Sequence, residues 1–394
     1  MEVYINDFDD LGNGISRIEN KVCFVKSALP KELVDIKIIK ENKNYSTGEI
    51  VNIIKKSELR IEPICKYYNE CGGCNFLHLV NGEEINFKKR KIMNYFNKLD
   101  NFYTTKNYNY RNKIVLHVKN GIIGFYKEKT NDLIEIKYCY LVKEKINKII
   151  SLLNQYKDSS FCGSITLRVN SSDESLVSIE GNYKYIDNLS NSNLIDNLIY
   201  NDKVLKGNDY FYEIIDNYKF KVNYKSFFQV NILGLLAIIK ILKEFFKDKN
   251  FNTALELYSG TSVLGILISS FVSKVTSIEV NENATRDALH NVKINNIKNL
   301  KVINGLVEDN INKFHDIDFI LVDPARRGLD KKTIKYLKEI KSKYLIYIAC
   351  GIDSLKRDLV ELNESYQVDN IYGIDMFPCT NNVECIALLS HKKT

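Results

Sequence analysis

The chain of 394 residues is 45% hydrophobic and 27% charged, a balance typical of a soluble globular protein with two or three domains. It has neither an apolar run of about 18 residues nor a basic, apolar leader, so we expect no membrane span, no signal peptide and a cytoplasmic location. The net charge of +7 favours nucleic-acid partners only slightly, and nine cysteines in a cytoplasmic protein indicate thiols, metal ligands or catalytic groups rather than disulfides.

The N-terminal segment alternates short apolar runs with turn signals. Gly12-Asn13-Gly14 predicts a turn, and residues 21–25, 34–39 and 48–54 predict strands. Several short strands in so few residues predict a small β-barrel of the OB type, which we assign to residues 1–58. Such barrels commonly bind RNA, although a fold alone does not establish a function.

A cysteine-dense stretch follows the predicted barrel. Cys65, Cys71 and Cys74 fall within ten residues, and the distant Cys139 would complete a set of four thiolates. Four thiolates suit zinc or an iron–sulfur cluster, and free thiols are a third interpretation. Because zinc prefers two paired Cys-x2-Cys knuckles, the Cys-x5-Cys-x2-Cys spacing with a single remote cysteine favours the cluster.

The middle of the chain reads as a mainly β domain, which we assign to residues 59–225. It begins with a predicted basic helix over residues 85–99, which contains the densest positive cluster, Lys88-Lys89-Arg90-Lys91. That cluster is either a solvated helix face or a contact for phosphates. Strand-like patterns dominate residues 108–215, with one helix predicted near residues 142–155.

From residue 226 to the end of the chain the periodicity changes to alternating strands and helices. Strands are predicted at 253–258, 274–279, 301–304, 319–322 and 345–348, and helices at 263–271, 283–295 and 331–340. This alternation predicts a Rossmann-like α/β domain whose parallel sheet is covered on both faces. Ligands of such sheets bind at the carboxyl ends of the strands, where Glu256 to Gly260, Glu279, Asp323 and Cys350 lie.

The first strand of this domain ends in Tyr258-Ser259-Gly260-Thr261, a turn of small residues that opens a helix. Glu279 ends the second strand about twenty positions later, where a carboxylate suits a ribose diol. Together they resemble the S-adenosylmethionine site of Rossmann-like methyltransferases. Since Gly-x-Gly-x-x-Gly is not satisfied, a dinucleotide fits less well, and a purely structural turn is the alternative.

Three further features predict reaction chemistry. Asp323-Pro324 begins a rigid loop at a strand end, for which a simple Asp-Pro turn is the alternative. Cys350 also ends a strand; a cysteine there is usually a small hydrophobic residue, but Gly351 stops the strand at once, so we expect the thiol to face the cleft. Glu384 follows a proline-bearing loop and, if partly buried, would have a raised pKa suited to proton transfer near neutrality.

In this order, from about residue 8 to residue 390, these features resemble the RNA uracil-5-methyltransferases, which form 5-methyluridine in 23S ribosomal RNA and transfer RNA. The resemblance implies an RNA-binding TRAM domain over the N-terminal barrel, and a 4Fe-4S cluster on Cys65, Cys71, Cys74 and Cys139, as in the ribosomal RNA branch. Phe227-Phe228-Gln229-Val230-Asn231 matches a cofactor motif of the family. By the same resemblance S-adenosylmethionine is held by Gln229, Tyr258, Glu279 and Asp323, Cys350 is the nucleophile and Glu384 the base.

The resemblance favours 23S ribosomal RNA as the substrate, with transfer RNA as the alternative. Ala349, Gly351, Cys379 and Asn382 depart from the family pattern around the two reactive residues, so a non-catalytic ribosomal-RNA-binding assembly factor is a second alternative. A cytosine-5-methyltransferase is a third, and it fits less well. Those enzymes usually carry a second cysteine on the Asp-Pro loop, where this chain has Ala325 and Arg326.

Overall fold

The first part of the chain is a six-stranded sheet in the computed structural model, which describes residues 1–392. The strands are β1 (Glu2–Tyr4), β2 (Asp7–Phe8), β3 (Gly14–Ile18), β4 (Lys21–Lys26), β5 (Leu33–Glu41) and β6 (Tyr45–Lys55). Their order is β1-β5-β6-β4-β3-β2, and β1 also contacts β3, so the sheet curls around its core. Alternate residues such as Cys23, Val25, Val34 and Ile36 fill that core, which confirms the predicted barrel.

The middle of the chain contains a second sheet of seven strands in the order β10-β9-β8-β11-β12-β13-β14. Helix α2 covers it through Ile146, Ile149, Ile150 and Leu153, whose spacing puts them on one face of the helix. The elements of this part are α1 (Glu83–Phe96), β7 (Asn101–Tyr103), β8 (Lys113–Lys119), β9 (Ile122–Tyr126), β10 (Leu133–Glu135), α2 (Glu144–Gln155), β11 (Gly163–Val169), β12 (Ser175–Gly181), α3 (Ile186–Ser190), β13 (Asn197–Tyr200), β14 (Lys203–Lys206) and the hairpin of β15 (Tyr210–Ile215) with β16 (Tyr218–Asn223).

The C-terminal part is an α/β domain, which confirms the predicted fold class. Its elements are α4 (Ile232–Phe246), β17 (Phe251–Leu257), α5 (Val263–Ile268), β18 (Val272–Glu279), α6 (Glu282–Ile294), β19 (Leu300–Asn304), α7 (Val307–Asn310), a 3₁₀ turn (Ile311–Lys313), β20 (Phe319–Val322), α8 (Lys331–Ile340), β21 (Tyr344–Ala349), α9 (Ile352–Leu362), β22 (Tyr366–Ile374) and β23 (Glu384–His391). The sheet order is β19-β18-β17-β20-β21-β23-β22-β7, and β23 alone runs antiparallel to its neighbours.

Helices cover both faces of this sheet, as the sequence predicts. Along β20, Phe319 and Leu321 pack into one core with α4 and α5, whereas Ile320 and Val322 pack into the opposite core with α8 and α9. Neither face of such a strand meets water, which explains its uninterrupted apolar sequence. Among residues 1–392, no helix combines the length and the apolar character needed to cross a membrane.

The structure adds elements that the sequence patterns did not predict. Helices α4 and α9 and strand β22 belong to the α/β domain. Strand β7, from the segment assigned to the central domain, pairs with β22, and α1 packs against α9 and β22. The residues between 83 and 103 therefore contribute to the α/β domain, while the domain limits at 58 and 225 stay predictions.

Candidate active site

One cavity of about 970 Å³ opens at the carboxyl ends of the parallel strands. It lies beside β17, which pairs with β18 on one side and with β20 on the other. The strand order reverses here, which is where open α/β sheets bind ligands. Every catalytic and cofactor residue predicted from the sequence lines it: Gln229, Tyr258, Glu279, Asp323, Cys350 and Glu384. The structure therefore brings these six residues together, and their individual roles stay predictions.

The carboxylate of Glu279 stabilises the turn after β17. Its two carboxylate oxygens accept hydrogen bonds from the backbone amides of Gly260, over 2.8 Å, and Asn281, over 2.7 Å. Gly260 has a φ of 54°, and a Cβ added there would meet no atom within 4 Å, so glycine is favoured there by its backbone conformation rather than by space. The Tyr258 hydroxyl donates to Asp330 over 3.2 Å, which fixes the ring at the rim of the cavity.

Glu256 is a buried carboxyl at the floor of the cavity. It accepts hydrogen bonds from the Gly265 amide over 2.9 Å and from the Ser277 hydroxyl over 2.5 Å, and so ties β17 to α5 and β18. Burial raises its pKa to about 8. A Cβ added to Gly265 would lie 2.3 Å from the Glu256 carboxylate, so this close approach requires glycine.

Gln229 reaches the cavity from the segment that precedes α4. Asn231 caps α4 by accepting a hydrogen bond from the Gly234 amide over 3.3 Å, and Asn112 donates to the Gln229 carbonyl over 3.0 Å. These two bonds fix the backbone from the Gln229 carbonyl to the start of α4. An Asn at a helix N-cap is a signal readable from the sequence.

Cys350 and Glu384 meet because of the register between two strands. Ala349 at the end of β21 pairs with Cys385 in β23, so the next residue on each strand, Cys350 and Glu384, adjoins the other. Glu384 is only 4% exposed, and burial together with the nearby Asp323 carboxylate raises its pKa well above the usual range. Desolvation, then Glu384 and Asp323, raise the pKa of Cys350 to about 11, so the resting thiol is protonated at neutral pH.

The Asp-Pro loop and the loop before Glu384 are joined by Arg326, a residue whose contact the sequence did not predict. Its guanidinium donates to the Asn382 side chain over 3.1 Å, and its positive charge opposes the rise in the pKa of Cys350. The carbonyl of Arg326 would lie 2.5 Å from a Cβ added to Gly351. Glycine after the thiol, where the family pattern differs, is therefore required by this loop.

The four predicted ligand cysteines line a second cavity of about 670 Å³, at the junction of the 65–74 segment with the central sheet. All four are free and partly buried, and burial raises the pKa values of Cys71, Cys74 and Cys139. Within residues 1–392, no group of three or more His, Cys, Asp or Glu side chains is arranged to hold a metal ion. The four cysteines therefore share a cavity, and the 4Fe-4S cluster stays a prediction.

Comparisons with known proteins agree with this geometry. A family described as tRNA (uracil-5-)-methyltransferase matches residues 193–392, and the TRAM domain matches residues 1–51. An uncharacterized RNA methyltransferase of Clostridium acetobutylicum is 31% identical over 442 residues, covering 98% of this chain and 96% of its own. Another from Clostridium tetani is 29% identical, covering 99% of this chain and 96% of its own.

A solved structure shares the architecture over its full length. The Pyrococcus abyssi tRNA (uracil-54, C5)-methyltransferase, crystallised with S-adenosyl-L-homocysteine, superposes with a TM-score of 0.83. The alignment covers 99% of this chain and 100% of that one, at 22% sequence identity. At this identity the likeness establishes a common fold.

Proposed function

The chain belongs to the tRNA (uracil-5-)-methyltransferase family of RNA-modifying enzymes, and we propose that it forms 5-methyluridine in 23S ribosomal RNA with S-adenosylmethionine as the methyl donor. The observation that carries this proposal is the convergence of Cys350 and Glu384 in the cavity that Tyr258, Glu279 and Asp323 also line. A thiol and a carboxyl beside a cofactor pocket are the groups that methylation of a uracil ring carbon requires.

We assign the cofactor to the part of the cavity that is lined by Gln229, Tyr258, Glu279 and Asp323. S-adenosylmethionine supplies an electrophilic methyl group on a sulfonium. Glu279 retains lone pairs for a ribose diol, because each of its oxygens accepts one backbone hydrogen bond and has capacity for another. Asp323 offers a carboxyl for the cationic part of the ligand, and the Tyr258 ring offers an apolar wall.

Cys350 solves the central chemical problem, which is that carbon 5 of uracil is a weak nucleophile. Addition of the Cys350 thiolate to carbon 6 converts the ring to an enolate, and carbon 5 can then attack the methyl group. The raised pKa of Cys350 means that the partly exposed thiol must first release its proton to solvent, which leaves Glu384 free to accept the carbon-5 proton later. A cationic ligand beside Asp323 and the Arg326 guanidinium both favour the thiolate, since each offsets the neighbouring carboxylates.

Glu384 completes the reaction. After methyl transfer, carbon 5 carries both the new methyl group and its original hydrogen, and this proton must be removed before the Cys350 sulfur can leave carbon 6. A positioned general base is worth about 10²–10⁴-fold in such a step. The raised pKa of Glu384 makes its carboxylate a stronger base than an ordinary glutamate once it is ionised.

The proposed substrate is an RNA that must present an unstacked uracil to the active site. A uracil in a helix must leave its stack to reach a recessed thiol, and the TRAM domain and exposed Lys89 and Arg90 provide a surface for the backbone. The four cysteines, which we propose hold a 4Fe-4S cluster as a cross-link between the 65–74 segment and the central domain, favour ribosomal RNA by the family resemblance. Transfer RNA is the second candidate, because the solved Pyrococcus abyssi protein of the same fold is a tRNA (uracil-54, C5)-methyltransferase.

The test is methylation of defined RNAs by anaerobically purified protein. With S-adenosylmethionine carrying a labelled methyl group, we expect 5-methyluridine in 23S ribosomal RNA and little label in a transfer RNA pool. Label confined to transfer RNA would reassign the substrate, and 5-methylcytosine would indicate cytosine chemistry. The absence of label from both RNAs would support a non-catalytic assembly factor. Mapping 5-methyluridine in total RNA from cells with and without the gene then identifies the position.

A further inference from the structure

The loop that leads to Glu384, residues 375–383 and here called the base loop, contacts a buried positive charge. Lys88 of α1 is 0% exposed, although it belongs to the densest basic cluster of the sequence. Its ammonium donates to Asp375 over 2.6 Å and to the Phe377 carbonyl over 3.1 Å. Lys88 is therefore neither solvated nor accessible to a phosphate.

Glu84 completes the contact from the same helix face. One turn before Lys88, it accepts a hydrogen bond from the ammonium over 2.5 Å with one carboxylate oxygen. Its other oxygen accepts from the backbone amide of Cys379 over 2.9 Å. The pair of α1 side chains thus fixes the base loop at Asp375, Phe377 and Cys379.

Neutral hydrogen bonds from other segments hold the same loop. The amides of Asn75 and Phe76 donate to the Cys379 carbonyl over 2.9 and 3.2 Å, and Asn231 donates to the Met376 carbonyl over 3.0 Å. These hydrogen bonds also hold the backbone of the base loop, but only Lys88 among these groups supplies the positive charge that balances Glu84 and Asp375. Removing it would leave two buried carboxyls without their cation, which is strongly unfavourable.

A buried ion pair adds little net stability compared with a well-packed apolar group, so its presence calls for another advantage, of which a unique local conformation is the best attested. The base loop ends directly at Glu384, whose carboxyl must meet one proton on one carbon. A shift of about 1 Å in such a group can lower a rate about 10²-fold.

We propose that Lys88 is a positioning residue for the general base: by bridging Glu84 and Asp375, it fixes the base loop so that Glu384 is aimed at the carbon-5 proton. This inference rests on the proposed function for its kinetic consequence only. Lys88 lies on α1, outside the residues that line the active-site cavity, and acts through the loop rather than on the substrate.

The test compares Lys88→Met with Lys148→Met, an exposed lysine of α2 outside both this network and the surface proposed to contact RNA, and with Lys88→Arg as the conservative variant. We expect Lys88→Met to lower kcat about 10- to 100-fold with little change in KM or in cofactor affinity. A covalent protein–RNA adduct should accumulate on denaturing gels, because carbon-6 addition proceeds while proton removal is slowed. Lys88→Arg should recover part of the rate, and Lys148→Met should behave as the wild type.

Hydrogen–deuterium exchange gives a readout that needs no activity. Amides of residues 375–383 should exchange faster in Lys88→Met, and unchanged exchange there would overturn the proposal even if the wild type methylates RNA. A wild type that does not methylate uridine would instead overturn the proposed function. The exchange measurement would still test whether Lys88 fixes the base loop. If Lys88→Met does not fold, Asp375→Asn keeps the shape and weakens the charge pairing. In Asp375→Asn we expect smaller changes of the same kind, namely faster amide exchange in residues 375–383 and a lower kcat. Exchange and kcat equal to those of the wild type would contradict the proposal.

Discussion

Cys350 and Glu384 adjoin each other at the ends of two antiparallel strands, because Ala349 of β21 pairs with Cys385 of β23. Although the two residues are neighbours, we expect substitutions of each to have different effects on the reaction. In Cys350→Ala we expect methylation to fall by about 10³-fold or more, since no thiolate can add to carbon 6. Cofactor affinity, measured by calorimetry, should be unchanged because the residues proposed to hold the cofactor are intact. The exposed Cys162 supplies the control as Cys162→Ala, and full activity in Cys350→Ala would refute the nucleophile.

Glu384→Gln should give the opposite defect from Cys350→Ala. A neutral amide fits the buried site without a charge, and Cys350 remains free to attack, but the carbon-5 proton has no acceptor. We expect a covalent protein–RNA adduct that survives a denaturing gel, with turnover reduced by about 10²–10⁴-fold. The exposed Glu361, changed to Gln, is the matched control. Normal turnover with no adduct would mean that another group removes the proton.

The sequence could predict that Asp323, Cys350 and Glu384 lie in one cavity because each stands at the end or the start of a strand of an α/β sheet, and strand ends converge in space. Local sequence patterns could not predict contacts between residues that are far apart in the chain. The burial of Lys88 depends on Asp375, 287 positions away, so local patterns placed that lysine in a basic surface cluster. Likewise β7 is only three residues long and joins the α/β sheet through a partner much later in the chain. Helix α9 did have a signal, since Ile352, Leu355, Leu359 and Leu362 recur at helical spacing.

The cluster proposed for the cysteine cavity should give the protein a visible absorbance. Anaerobically purified protein should be brown, with broad absorbance near roughly 400 nm from a thiolate-bound cluster. Cys71→Ser removes one proposed ligand and should bleach the protein and lower its iron content, whereas Cys162→Ser, outside the cavity, should change neither. Iron and sulfide assays provide the stoichiometry. A colourless protein with one equivalent of zinc would refute the cluster and restore the single-ion interpretation.

Asp323 predicts how cofactor binding depends on pH. Desolvation raises the pKa of its carboxyl to about 7, so the carboxylate forms only as the pH rises through that value. A carboxylate attracts a sulfonium cation and a neutral carboxyl does not. Affinity for S-adenosylmethionine should therefore be highest above about pH 8 and fall by up to tenfold per unit below about pH 7. Calorimetry across this range should show a weaker dependence for S-adenosylhomocysteine, whose sulfur is neutral. Asp323→Asn should bind S-adenosylmethionine weakly at every pH, and a flat profile in the wild type would place the cationic sulfur away from Asp323.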